Sequence, residues 1–77
     1  MGLIEVVAPY SNSNIWKEHP YGVDGYTTSD RFNEWIGRRG LRHGGLWFDN
    51  SGKSTSEYCV LLFEKLSEAI LFKVEVW

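Results

Sequence analysis

Four groups of residues in this chain are of types that can do chemistry. The first is Gly52-Lys53-Ser54-Thr55, which has the composition of the end of a phosphate-binding P-loop. That motif needs a second glycine five places upstream, where this chain has Trp47, and a helix afterwards whose N-terminus holds the phosphate. A strand-like run follows instead, so the segment reads as a turn. The second group is His19, His43 and Cys59, all potential metal ligands. Their spacing matches no ligand pattern, and Cys59 sits inside an apolar run where a buried, inert thiol is the ordinary outcome. No metal or other cofactor is expected. The third is Asp24, Asp30 and Glu34 with the two histidines. Nothing in their spacing fixes an acid–base pair, and no nucleophile elbow or Cys-His motif accompanies them. No catalytic residue is assigned, and the chain is not expected to be an enzyme.

The fourth group is the one that carries a function. Arg38-Arg39-Gly40-Leu41-Arg42-His43 puts three guanidiniums and an imidazole into six residues. Arginine suits a bidentate grip on carboxylate or phosphate. The plainer account of these charges is a complement to a helix dipole next to a solvated loop. Net charge is −2, with 8 basic and 10 acidic residues, so an acidic protein surface is the favoured target. A nucleic acid is second, with Trp47 or Tyr26 as stacking partners.

A second candidate surface is aromatic. Tyr10, Trp16, Tyr21 and Tyr26 fall in a segment from residue 9 to about 27 that is rich in turn chemistry: Ser11-Asn12-Ser13-Asn14, His19-Pro20-Tyr21-Gly22 and Asp24-Gly25. Long irregular segments in small domains usually carry function, and Tyr, Trp and Arg dominate interface hot spots. The expected partner-binding residues are therefore Trp16, His19 and Tyr21 on this loop, with Arg38, Arg39 and Arg42 beside the helix.

These residues need a scaffold. The chain has 77 residues, enough for one domain (1–77), of which 43% are hydrophobic and 16% aromatic. Aromatic rings of roughly 150–250 Å² each can build a small core without disulfides, and the single cysteine allows none. One cysteine, no basic leader before Glu5 and no apolar run of membrane-spanning length point to a cytoplasmic protein. Gly2 would suit myristoylation, but Val6 stands where that motif wants Ser or Thr.

Residues 3–8, β-branched and halted by Pro9, read as a strand. Thr28-Ser29-Asp30 offers N-caps to a helix from about Asp30 to Arg39, with Phe32, Trp35, Ile36 and Arg39 at i, i+3, i+4 and i+7. Gly40 is a C′ residue, and Gly37 weakens the helix. Leu46–Asp49 and Glu57–Phe63 read as an antiparallel hairpin. From Leu66 a helical face follows, although Phe72–Val76 alternates like a strand. The expected fold is α+β: a single small sheet with two helices on one face, in the order β-α-β-β-α, ferredoxin-like and lacking or completing its last strand at residues 73–77. An exposed edge of the first or second strand could pair between subunits to give a homodimer.

The stretch Phe63-Glu64-Lys65-Leu66-Ser67-Glu68-Ala69-Ile70-Leu71-Phe72-Lys73-Val74-Glu75-Val76-Trp77 resembles the ending of small phage-encoded proteins that pass from a strand through a polar turn into a D/E-A-x-x-F-K-x-x-W helix. Glu68-Ala69 with Phe72-Lys73 carries most of the likeness. The resemblance covers about a fifth of the chain and includes no chemical group. It implies a protein that acts in a host cell's cytoplasm as an inhibitor or modulator. Such a protein binds a host protein by occupying its surface, without chemistry.

Overall fold

In the computed structural model of the chain, which describes residues 2–19, 25–48 and 54–77, the most apolar run forms a central strand, β5 (Tyr58–Phe63). It is flanked on both sides by antiparallel neighbours, β1 (Ile4–Pro9) and β4 (Leu46–Phe48), in the order β1-β5-β4. Period-two alternation assigns the faces. Ile4, Val6 and Ala8 stand opposite Phe63, Leu61 and Cys59 and point to the core, and Leu46 joins them from the other side.

Two helices cover that face. α1 (Asp30–Arg38) buries Phe32, Trp35 and Ile36, and α2 (Leu66–Glu75) buries Ala69 and Phe72. The Phe72 ring meets Phe32, Trp35, Phe63 and Trp77, with centroids 5.1, 5.8, 5.5 and 6.0 Å away. Edge-on and tilted aromatic contacts of this kind stabilise beyond their buried area.

Both ends of α1 are satisfied by local chemistry. Ser29 is the N-cap. Its hydroxyl accepts from the Phe32 amide at 3.1 Å and donates to the Asn14 carbonyl at 2.6 Å. At the other end Gly40 takes φ +69°, Leu41 N–H donates to Ile36 O at 3.0 Å and Gly40 N–H to Gly37 O at 3.2 Å. This is a Schellman close, and it turns Leu41 back onto Ile36.

The fold is α+β, as the patterning indicates, but its order differs from the β-α-β-β-α expectation. The segment that reads as a long irregular loop contains β2 (Trp16–Glu18) and β3 (Tyr26–Thr28), which pair antiparallel as a separate two-stranded sheet. The observed order is β-β-β-α-β-β-α in two sheets. β1 also runs antiparallel to β5, whereas the split β-α-β core of a ferredoxin-like unit needs parallel strands. Three-residue strands are too short to show a period, and β2 is anchored by tertiary contact: the Trp16 indole N–H donates to Ala8 O at 3.2 Å. Residues 73–77 do not complete the sheet. The helix runs to Glu75 and closes with the Val76 and Trp77 amides on Phe72 O at 3.0 and 3.2 Å. Val74, which a strand would put on the same face as Phe72 and Val76, is 75% exposed, while Val76, four places after Phe72, is buried, as a helix requires.

No described helix is long and apolar enough to cross a membrane.

Candidate functional site

The expected site residues separate into three groups. Trp16 is only 5% exposed and sits in the core, edge-on to Tyr10 and Phe32. It anchors the small sheet and offers no surface to a partner. His19 is exposed just beyond β2, with its amide donating to Gly25 O at 3.3 Å. Tyr21 lies outside the described residues. The remaining aromatic character of that region is Tyr26, stacked on Tyr10 at 4.7 Å, above a groove of about 470 Å³ lined by Val7, Pro9 and Tyr58.

The basic cluster also divides. Arg39 is committed to the scaffold: its guanidinium donates to both oxygens of Glu68 on α2. That hydrogen bond, reinforced by the opposite charge, holds the Glu68 carboxyl below its ordinary value of 4.5 and raises Arg39. Arg38 and Arg42 are exposed and form no ion pair among the described residues.

Arg42 borders an open cleft of about 520 Å³ between α1 and β4. The Schellman turn ends at Leu41, so Arg42 and His43 emerge beside the helix they have just left. The Arg42 guanidinium lies over Gly37, with Nε and Nη2 3.5 Å from the point a Cβ would occupy. Gly45, at φ +94°, packs under Leu41 and leads into β4; its carbonyl accepts from Glu64 N–H at 2.9 Å. The segment bearing the charge is thus fixed at both ends.

The cleft floor is Ile36, Leu41 and Leu46. One end is closed by Thr28 and Asn33, whose side chains share a 2.6 Å hydrogen bond from the Thr28 hydroxyl to Asn33 Oδ1. The β4 wall is Phe48, 41% exposed; Trp47, 47% exposed, borders the cleft from β4 with its ring turned to the opposite face of the sheet. Trp47 is held by its indole N–H to Glu64 Oε1 at 3.3 Å. The chemistry on offer is a cationic donor fork and an imidazole beside one open aromatic ring, Phe48. It matches a carboxylate, or another planar anion, carried next to an apolar or aromatic group.

Phe48 and Asn33 are the parts of this cleft that the sequence reading lacked. Alternation puts Phe48 on the core side of β4, opposite Leu61, where a phenyl ring would ordinarily be buried. Only its place on a short edge strand leaves it open. Asn33 reads as an ordinary polar position on the outer face of a helix.

Among the described residues no group of three His, Cys, Asp or Glu side chains converges as a metal site. Cys59 is buried in β5.

No protein-family model matches the chain, and neither a curated protein nor a solved structure does.

Proposed function

We propose that the chain is a protein-binding module whose contact surface is the cleft between α1 and β4, and that it acts by occupying a partner's surface. The observation that supports this reading is the convergence of Arg42 and His43 with half-open Phe48 over an apolar floor, with Trp47 at the cleft's edge. Arginine and aromatic anchors around a depression are the composition of interface hot spots, where a few residues carry most of the binding energy. An acidic stretch with an adjacent apolar side chain fits both halves of the cleft. The likeness of the C-terminal helix to phage-encoded proteins makes a host protein the natural partner, with modulation or inhibition as the consequence.

The test is affinity capture from the natural host's lysate, with wild type and the Arg42→Ala/Phe48→Ala double variant compared by mass spectrometry. The reading expects a specific protein that the variant loses. Equal capture by both would overturn it. A guanidinium near an open aromatic ring is also what single-stranded nucleic acid uses. That alternative expects retardation of RNA or DNA that weakens steeply between low and moderate salt.

A further inference from the structure

The opposite edge of the sheet carries a second surface. β1 is an edge strand, and no described strand lies beyond it. The Tyr10 amide donates to Glu57 O at 2.9 Å, continuing the β1–β5 ladder. Hydrogen-bonded pairs alternate along an antiparallel ladder. The even-numbered residues of β1 therefore face β5, and the backbone groups of Leu3 and Val7 point to the far edge. α2 rides over β1 and β5 and carries apolar residues on two sides. While Ala69, Phe72 and Val76 are buried, Leu66, Ile70 and Val74, spaced i, i+4, i+8, are 61%, 54% and 75% exposed. A helix apolar on both faces is characteristic of one buried on both. Leu66 shares a depression with Leu3 and Ile4 at the start of β1, so the outward helical stripe and the open strand edge form one continuous side.

We propose that this side is the interface of a two-fold symmetric dimer of the chain. β1 pairs antiparallel with β1 of a second copy, and the two α2 helices pack on each other above a continuous six-stranded sheet. Three pieces of geometry select a second copy as the occupant. First, the spacing closes. Strands lie about 4.8 Å apart. Helices centred over the β1–β5 gap in each copy would therefore stand about 9.6 Å apart, within the 8–10 Å of packed helices.

Second, one axis serves both elements. Leu66 lies at the start of β1, and the 6 Å or so that four helical residues advance equals about two residues of strand. Ile70 then stands near the level of Val6. An axis through Val6 sets Glu5 across from Val7 of the copy and avoids opposing two glutamates. The same axis sets Leu66 across from Val74 about Ile70. Third, the size fits. Leu3 (44%) and Trp77 (40%) extend the stripe, giving roughly 500 Å² of apolar surface, in the upper part of the range of the largest, often functional, patch on a monomer. With its polar rim, this is the apolar core of a standard interface of about 800 Å² per partner. The interface lies at the opposite sheet edge from the Arg42 cleft, so a dimer would present two clefts, and the proposal stands independently of what they bind.

Sedimentation of the full chain over a dilution series tests this. The expected result is a mass that rises from 8.9 kDa to a plateau at twice that value. Ile70→Glu, which charges the stripe, and Val7→Pro, which blocks the edge without removing a β5 ladder bond, should each weaken the dimer about 100-fold or more, with circular dichroism confirming the fold. Hydrogen exchange on wild type needs no variant and should show the Leu3 and Val7 amides becoming protected as concentration rises. A mass of 8.9 kDa throughout, growth without a plateau, a dimer indifferent to both substitutions, or unprotected Leu3 and Val7 amides in the dimer would each overturn the proposal.

Discussion

The Arg39 guanidinium reaches from the end of α1 to Glu68 on α2, with Nε 3.0 Å from Oε2 and Nη2 2.8 Å from Oε1. The two helices are tied by a fork that a lysine could not reproduce. The pair has a pH signature. Glu68 is held below 4.5 chiefly by the hydrogen bond from Arg39. It therefore contributes stability that is present above 4.5 and is lost as pH falls through the depressed folded value. NMR titration should place the Glu68 midpoint below 4.5 in wild type and move it upward in Arg39→Ala. An unchanged midpoint would mean the fork does not persist in solution.

Phe72 is the ring on which the two helices and β5 converge. Truncating it to alanine should cost about 3–5 kcal/mol. A chain of this length holds only about 4–12 kcal/mol at the usual stability per residue, so urea denaturation should find Phe72→Ala without at least about a quarter of that stability. A loss under about 1 kcal/mol would show that the aromatic cluster is not the core.

The hydroxyl of Ser29 makes two bonds at once, one capping α1 and one holding the Asn14 carbonyl of the preceding loop. Removing an N-cap hydroxyl costs about 0.5–2 kcal/mol, and Ser29→Ala should fall in the upper half of that range because Asn14 loses its partner too. Ser29→Thr should retain most of the stability. Thermal denaturation of the two variants reads the difference.

Two glycines beside the cleft should respond in opposite directions. Gly37 has ordinary helical geometry, and an added methyl would only touch Arg42 at 3.5 Å, so Gly37→Ala should stabilise by up to about 1 kcal/mol through helix propensity. Gly45 is at φ +94°, and a methyl there would sit 2.7 Å from Leu41 Cδ2. Gly45→Ala combines a left-handed backbone with a clash and should destabilise by about 1–3 kcal/mol. Chemical denaturation of both variants checks the contrast in sign.

Which parts of the molecule could be read in advance follows from range of interaction. α1, its cap and its glycine close were legible because they rest on contacts within a few residues. So was the strand in Tyr58–Phe63, from its run of apolar residues. Trp16 was misplaced because burial in the core and exposure on a loop look alike in sequence; its bond to Ala8 is a tertiary fact. The tail remained ambiguous because α2 is apolar on opposite sides, so Phe72–Val76 satisfies the strand period as well as the helical one. The basic cluster was visible, but its division was not. Arg39 meets a carboxylate 29 positions away, while Arg42 reaches the cleft only because the chain reverses at Gly40. Leu46–Asp49 read as a short strand with an exposed edge, but nothing local shows that the core-side ring of Phe48 at its end stays open.

The central claim is that partners enter between α1 and β4. The most direct measurement is chemical-shift mapping of the isotope-labelled chain titrated with the protein captured from its host. The account predicts the strongest perturbations at Asn33, Arg42, His43, Trp47 and Phe48, with Arg42→Glu weakening binding at least tenfold. Perturbations confined instead to the Tyr10–Tyr26 groove or to the outward stripe of α2, with Arg42→Glu binding as wild type does, would contradict it.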